Sequence, residues 1–223
     1  MNKTDPKHVD LAIICDVSCP WCLVAFKDLR NTLIELEDAY SINVSWLPFE
    51  LNPTMSLEGE LMLLRNSRRY GSPRSDLAGQ KASMIAIGKK HGIAFDYFDE
   101  MKVYNTLSAH QLIYWAGNFR KQTELAIAIM EAYFSHRENI SDTHVLEDIA
   151  VSVGLPKGKC REVLNTQCFQ QEVRELQARW RSLRISSVPT FLIGDQYLVP
   201  GSADPNTLAS AIREFIGCPT PTE

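Results

Sequence analysis

The side chains best suited to chemistry in this 223-residue sequence are the thiols of Cys15, Cys19 and Cys22, within "LAIICDVSCPWCLVAF". Taken as a pair, Cys19-Pro20-Trp21-Cys22 has the C-x-x-C spacing of a redox couple, in which one thiolate attacks a disulfide and the second thiol resolves the product. Taken as a triple, C-x3-C-x2-C with an aromatic residue before the last Cys fits an iron–sulfur cluster that cleaves S-adenosylmethionine. The letters admit both readings, so the elements that would position the cysteines must separate them.

"VDLAIICDV" (9–17) is an apolar, β-branched run and predicts a strand buried on both faces. Leu23, Phe26, Leu29, Leu33 and Leu36 recur at steps of three and four and predict an amphipathic helix over 20–39. Pro20 suits its first position, where the missing N–H costs nothing. "INVSWLPFEL" alternates Ile42, Val44 and Trp46 inward and predicts a second strand, completing a right-handed βαβ unit. Six helical segments follow. One runs from Pro73 to Gly92, and another opens at Ser141 and Asp142 as capping residues. Residues 91–98 read as a loop. "SSVPTFLIG" and "DQYLVPG" then predict a hairpin, and Leu208, Ile212 and Phe215 mark the apolar face of a closing helix.

Strands at both ends and helices between predict an α/β chain with thioredoxin topology. Residues 1–52 and 185–223 would form one discontinuous domain, and residues 53–184 a large all-helical insertion. Cys19 then falls just past the first strand, at a helix N-terminus, and Cys22 one turn inside. Free N–H groups and the helix dipole favour a thiolate at Cys19. Cys19 is thus assigned attack, Cys22 resolution, and Pro20-Trp21 tuning of the potential. An iron–sulfur barrel enzyme needs several further βα units, whereas here the middle of the chain has a helical period.

Bulk properties narrow the partners. A net charge of −4 leaves no basic footprint for nucleic acid. No apolar run approaches the roughly 20 residues that span a bilayer. The N-terminus carries neither a signal h-region nor a cleavage site. A cytoplasmic protein is expected, where a C-x-x-C is catalytic or metal-binding more often than structural. Nothing in the sequence indicates an oligomeric state.

The sequence resembles the DsbA-type thioredoxin-fold oxidoreductases, in particular the FrnE-like branch. The resemblance rests on Cys19-Pro20-Trp21-Cys22, "WLPFELNP" (46–53), "NTLSAH" (105–110), "EAYF" (131–134) and "SVPTF" (187–191). It implies thiol–disulfide oxidoreductase or isomerase activity without metal or bound cofactor. The partner would be a thiol or disulfide, protein or small molecule. It implies a cis Pro189 facing the cysteines, with Val188 offering backbone groups to substrate, and Asn105 and His110 on the insertion face near the cleft. A related branch holds 2-hydroxychromene-2-carboxylate isomerases and kappa-class glutathione transferases, which carry Ser at the position of Cys19. Keeping both cysteines favours disulfide chemistry and leaves glutathione open as a small thiol partner. A glutathione-dependent isomerase or transferase is the alternative, and a thioredoxin-fold binding or chaperone module with incidental cysteines is a third reading.

The other candidates have plainer readings. Cys15 is expected as a small buried strand residue. Cys160 and Cys168 are expected to be structural, and Cys218 lies in a polar tail. Trp46, Trp115 and Trp180 are expected in the core, and Trp21, at the exposed helix start, facing substrate.

Overall fold

The computed structural model describes residues 7–37, 40–71, 74–201 and 205–217. Its main sheet takes the order β2-β1-β5-β6, built from β1 (Lys7–Cys15), β2 (Tyr40–Pro48), β5 (Thr190–Ile193) and β6 (Tyr197–Pro200). β1 pairs parallel with β2, Ile13 opposite Trp46, and antiparallel with β5, Ile13 opposite Phe191. Strands from the two ends of the chain thus share hydrogen bonds, and helix α1 (Pro20–Leu36) makes the crossover from β1 to β2. This is a thioredoxin fold.

The apolar run of β1 is explained by its central position. Alternate side chains of a strand point to opposite faces. Leu11, Ile13 and Cys15 enter a large core with Phe191, Ile193, and Leu23 and Phe26 of α1. Ile14 and Leu192 point the other way, into a smaller core with Phe49, Trp180 and Ile185. Trp180 lies on α8 (Gln170–Ser182), and α9 (Pro205–Phe215) joins the large core through Leu208 and Ile212. Both sheet faces are covered, so neither face of β1 shows a polar alternation.

Between β2 and β5 the insertion contributes α2 (Met62–Tyr70), α3 (Arg74–Lys90), α4 (Leu107–Ala116), a single 3-10 turn at Gly117–Phe119, α5 (Gln122–His136), α6 (Thr143–Ser152), α7 (Lys157–Thr166) and α8. Among its described residues it also holds a two-residue ladder of β3 (Glu60–Leu61) with β4 (Lys102–Val103). A pairing that short leaves no period in the sequence. Pro73 lies outside the described residues, and the helix it was expected to open is seen from Arg74. Of the two capping candidates, Asp142 is the N-cap of α6, accepting the His144 N–H. Ser141 instead donates its hydroxyl to Leu57 O and Asn139 Oδ1. Residues 93–98 lack regular structure but bury Ile93 and Phe95, the latter edge-on to Phe134.

Candidate active site

Cys19 is the N-cap residue of α1, with extended backbone, and Pro20 takes the first helical position. The Cys22 N–H reaches Cys19 O at 3.1 Å, and the Cys19 N–H reaches Asp16 O at 2.9 Å. Both thiols are free and buried, Cys22 completely. The Cys19 thiol lies 3.5 Å from Val188 O, 169 residues away in sequence, and the Val188–Pro189 bond is cis. Gly201 backs this turn, donating its N–H to Pro189 O at 2.8 Å. A Cβ at position 201 would lie 2.5 Å from Pro189 Cγ, which explains why glycine stands there.

Beside Cys19 opens a cavity of about 250 Å³. Trp21, Leu51, Met62, Met84 and Tyr97 give it apolar walls, and Arg65 and Lys81 contribute cations. The Arg65 guanidinium is oriented by Asn52 Oδ1 and Asn66 Oδ1, and Lys81 by Phe98 O and Asp99. Trp21 is 47% exposed at the rim, whereas Trp46, Trp115 and Trp180 are buried. At about 250 Å³ the cavity lies just below the roughly 300–1,000 Å³ of small-ligand pockets, room for a small thiol or one side chain of an extended segment.

The electrostatics reverse one expectation. A thiolate at Cys19 is expected from the helix N-terminus, but the Cys19 thiol is pushed well above its ordinary value of 9.0. The causes are its hydrogen bond with Cys22, then burial, then the charge that Cys22 would carry. Cys22 is also pushed well up, chiefly by burial and then by its hydrogen bond with Cys15. A helix terminus contributes typically 0.3–1 kcal/mol. The hydrogen bond with Cys22, together with full burial, which can move a titrating group by several pKa units of about 1.36 kcal/mol each, outweighs it. Both shifts favour the protonated thiols over the thiolates.

Asn105 and His110 do not line this cavity. The Asn105 amide donates to Met55 O and its carbonyl accepts the Leu107 N–H, so the side chain ties a loop to the start of α4. His110 is 3% exposed, behind the cysteines rather than in front of them. Its Nε2 lies 3.7 Å from Asp16 Oδ1. Asp16 itself carried no signal in the sequence reading, because one Asp after an apolar strand resembles a turn residue. Here it is fully buried, with Oδ1 accepting the Ser18 N–H at 3.0 Å and Oδ2 the Leu51 N–H at 2.7 Å.

Cys15 is buried in β1, as expected, and its thiol meets that of Cys22. Among the described residues, no group of three His, Cys, Asp or Glu side chains is arranged to hold a metal ion. Cys160 is buried in α7 and Cys168 is exposed in the turn before α8. Cys218 lies outside the described residues.

A four-stranded sheet with the order β2-β1-β5-β6, and a strand-to-helix cysteine pair beside an X-Pro turn, define a thioredoxin-fold protein. The chain belongs to the family of DSBA-like thioredoxin domains, whose model matches residues 10–213. It is 27% identical over 210 residues to the uncharacterized protein YwbO of Bacillus subtilis, covering 92% of this chain and 96% of that one. A probable DsbA oxidoreductase from Streptomyces coelicolor has a similar structure, with TM-score 0.87, 24% identity, and coverage of 97% of this chain and 93% of that one. The cytosolic disulfide reductase DsbM of Pseudomonas aeruginosa, solved with glutathione, is similar at TM-score 0.66 and 15% identity, covering 93% and 99%. At these identities the structural likenesses speak to the fold. Among the described residues, no helix is long and apolar enough to cross a membrane.

Proposed function

We propose that this protein is a thiol–disulfide oxidoreductase or isomerase working through Cys19 and Cys22. The observation that carries the reading is the approach of the Cys19 sulfur to Val188 O, at a helix N-terminus and beside an open cavity. A disulfide substrate would lie along residues 188–189 with one sulfur in line with Cys19. As the Cys19 thiol loses its proton, its sulfur attacks that atom. One substrate sulfur leaves as a thiolate and takes up a proton, giving a mixed disulfide. Cys22, one helical turn on, then attacks Cys19 Sγ and releases the second substrate thiol. The protein is left with a Cys19–Cys22 disulfide, and the substrate has gained two electrons. A second thiol reagent of the glutathione class would return the pair to the dithiol by the same exchange. In isomerisation the mixed disulfide is instead resolved by another substrate thiol, with no net electron transfer.

Trp21 and the apolar cavity wall would take the side chains that flank the scissile sulfur, with Arg65 and Lys81 suited to a carboxylate. These last two favour the second reading, a glutathione-dependent isomerase or transferase, while the glutathione in the structure of the disulfide reductase DsbM supports a glutathione partner in either reading. In that reading Cys19 activates or binds the tripeptide thiol. The proposed compartment is the cytoplasm, where such a thiol is abundant.

The test is Cys19→Ser alongside Cys22→Ser, assayed for insulin reduction and for isomerisation of a scrambled disulfide protein. Cys19→Ser is expected to abolish both. Cys22→Ser is expected to trap mixed disulfides visible by mass. Full activity in Cys19→Ser would remove the redox pair as the catalyst.

A further inference from the structure

The main sheet has two edges, and the chain guards only one of them along its length. β6 is four residues long and ends on Pro200, a short edge closed by a residue with no N–H to offer. β2 is nine residues long and carries neither lysine nor proline before Pro48. Two hydrogen bonds show which of its main-chain groups face outward. The Phe49 N–H, just past the strand, reaches Cys15 O of β1 at 3.0 Å. The Trp46 N–H points the other way, to Gln122 Oε1 at 3.2 Å, and Trp46 O accepts the Gln122 amide at 3.4 Å. Main-chain groups of successive residues alternate sides along a strand. Odd-numbered residues of β2 therefore bond β1, and even-numbered ones face away from it. Pro48 obeys the rule, since its missing N–H falls on the outer edge. Gln122 closes that edge at Trp46, and the outward N–H and C=O of Ile42 and Val44 have no partner among the described residues.

A groove of about 590 Å³ runs along this open stretch. Its floor is the edge from Ser41 to Ser45, and its far wall is Gly117, Arg120 and Thr123, from the 3-10 turn and the start of α5. The Thr123 hydroxyl accepts the Trp46 indole N–H, so the wall rises on the large-core face of the sheet. Arg120 ends the turn with a left-handed backbone, its N–H held by Gly117 O at 3.1 Å. Its side chain is exposed and makes no ion pair among the described residues. The neighbouring charges are already matched. Lys121 pairs with Glu124, and Asp10, on the opposite face of the sheet, takes the Asn43 amide at 2.9 Å and lies 3.4 Å from His8. We propose that this groove binds an extended segment of another protein, which adds to β2 as a further strand and places a carboxylate on Arg120. In this mode of recognition main-chain pairing supplies affinity and side-chain contacts supply selectivity. A second copy of the chain fits poorly, because each copy would bring its own Gln122 clasp and wall to the shared edge. Ser41 stands opposite His8 at the start of β1, whereas Cys19 follows its end, so the groove is separate from the cysteine pair and independent of the redox reading.

The probe is a fluorescein-labelled, cysteine-free peptide, Ser-Val-Glu-Val-Thr-Val, titrated with the full chain and read by fluorescence anisotropy. Saturable binding is expected. Changing its Glu to Lys should weaken binding roughly tenfold, as should methylating the N–H groups along one edge of its backbone. Val44→Pro removes an outward N–H and spares every bond to β1, so it should keep the fold and lose roughly tenfold in affinity. Ser45→Pro, one residue on, takes an N–H from the β1 ladder and should lower the melting temperature instead. Arg120→Glu, a surface change, should reverse the preference, so that the Lys peptide binds the tighter. No saturation with either peptide up to about 1 mM overturns the proposal. So does a methylated peptide that binds as well as its parent, or a ranking of peptides that Arg120→Glu leaves unchanged. If Val44→Pro unfolds the chain, the outward direction of that N–H is wrong and the proposal fails with it. Sedimentation tests the rival occupant: a wild-type dimer that Val44→Pro dissociates would show that a second copy fills the edge. Alkylating Cys19 should leave peptide binding unchanged, and its loss would move the peptide to the cavity beside the thiol and sink the assignment.

Discussion

Cys15, Cys19 and Cys22 show how far a residue's chemistry depends on its surroundings. The Cys19 and Cys22 thiols are both raised, the first chiefly by its hydrogen bond to the second and the second chiefly by burial. A group whose folded pKa is raised contributes stability that is fully present below its unfolded value, and that stability is lost as pH rises toward the folded value. Alkaline unfolding of the reduced protein is therefore expected to begin above the ordinary thiol value of 9.0. The double variant Cys19→Ala, Cys22→Ala should resist it, and circular dichroism across pH 8–11 measures the difference. Asp16 acts at the opposite end. Its folded pKa is lowered, so its contribution is present above the ordinary carboxyl value of 3.8 and is lost as pH falls below it. Asp16→Asn should flatten the stability profile between pH 2 and 4, as seen in urea midpoints. The sequence made the C-x-x-C legible because spacing alone encodes it. Asp16 was hidden because its importance comes from Leu51 and His110, which are distant in the chain.

Among the elements, the strand–helix junctions were the easiest to anticipate, and for physical reasons. β1 is apolar from Leu11 to Cys15 because both of its faces are covered there, and α1 begins at Pro20 because proline fits a first turn. β5 and β6 were marked by Val188-Pro189 and by the turn before Tyr197. α2 and the β3–β4 ladder went unseen as separate elements. A two-residue ladder has no period, and the exposed Leu64 blurs the pattern of α2. Asn105 was expected near the cleft from the family resemblance, yet its side chain makes an Asx turn into α4. A prediction at this scale concerns the hairpin that carries Pro189. Gly201→Ala would drive a Cβ against Pro189 Cγ and Pro189 O, at 2.5 and 2.8 Å. The clash includes main chain, which cannot rotate away. The proposed thiol–disulfide activity, read as insulin reduction, should fall roughly tenfold, with a stability loss of about 1–3 kcal/mol, the usual cost of overpacking. Alanine at Gly158 on α7, where a Cβ meets nothing within 4 Å, is the control and should leave activity unchanged with no loss of stability.

In the molecule as a whole, the insertion and the sheet are locked together by side-chain amides rather than by apolar contact alone. Gln177 of α8 accepts the Glu50 N–H at 3.0 Å and returns its own amide to Glu50 Oε2 at 2.9 Å, both residues being buried. Arg181, one turn on, reaches Glu50 O at 3.1 Å. On α5, Gln122 accepts the Trp46 N–H, and the Trp46 indole donates to Thr123 at 3.0 Å. Both clasps hold the end of β2, and the segment that follows it carries Leu51, the partner of Asp16 and a wall of the cavity. Site geometry and insertion docking are thus linked through residues 46–51. Gln177→Leu leaves the Glu50 N–H and carboxylate buried without their amide partner, at a cost of about 1–3 kcal/mol for each group left unsatisfied. The expected result is a lower melting temperature together with a faster Cys19 alkylation rate, because the wall beside the sulfur loosens. Gln171→Leu, on the exposed side of the same helix, removes only a surface pair with Glu175 and should change neither. If Gln177→Leu lowers the melting temperature but leaves Cys19 reactivity untouched, the insertion merely stabilises the sheet, and the site is held by β1 and α1 alone.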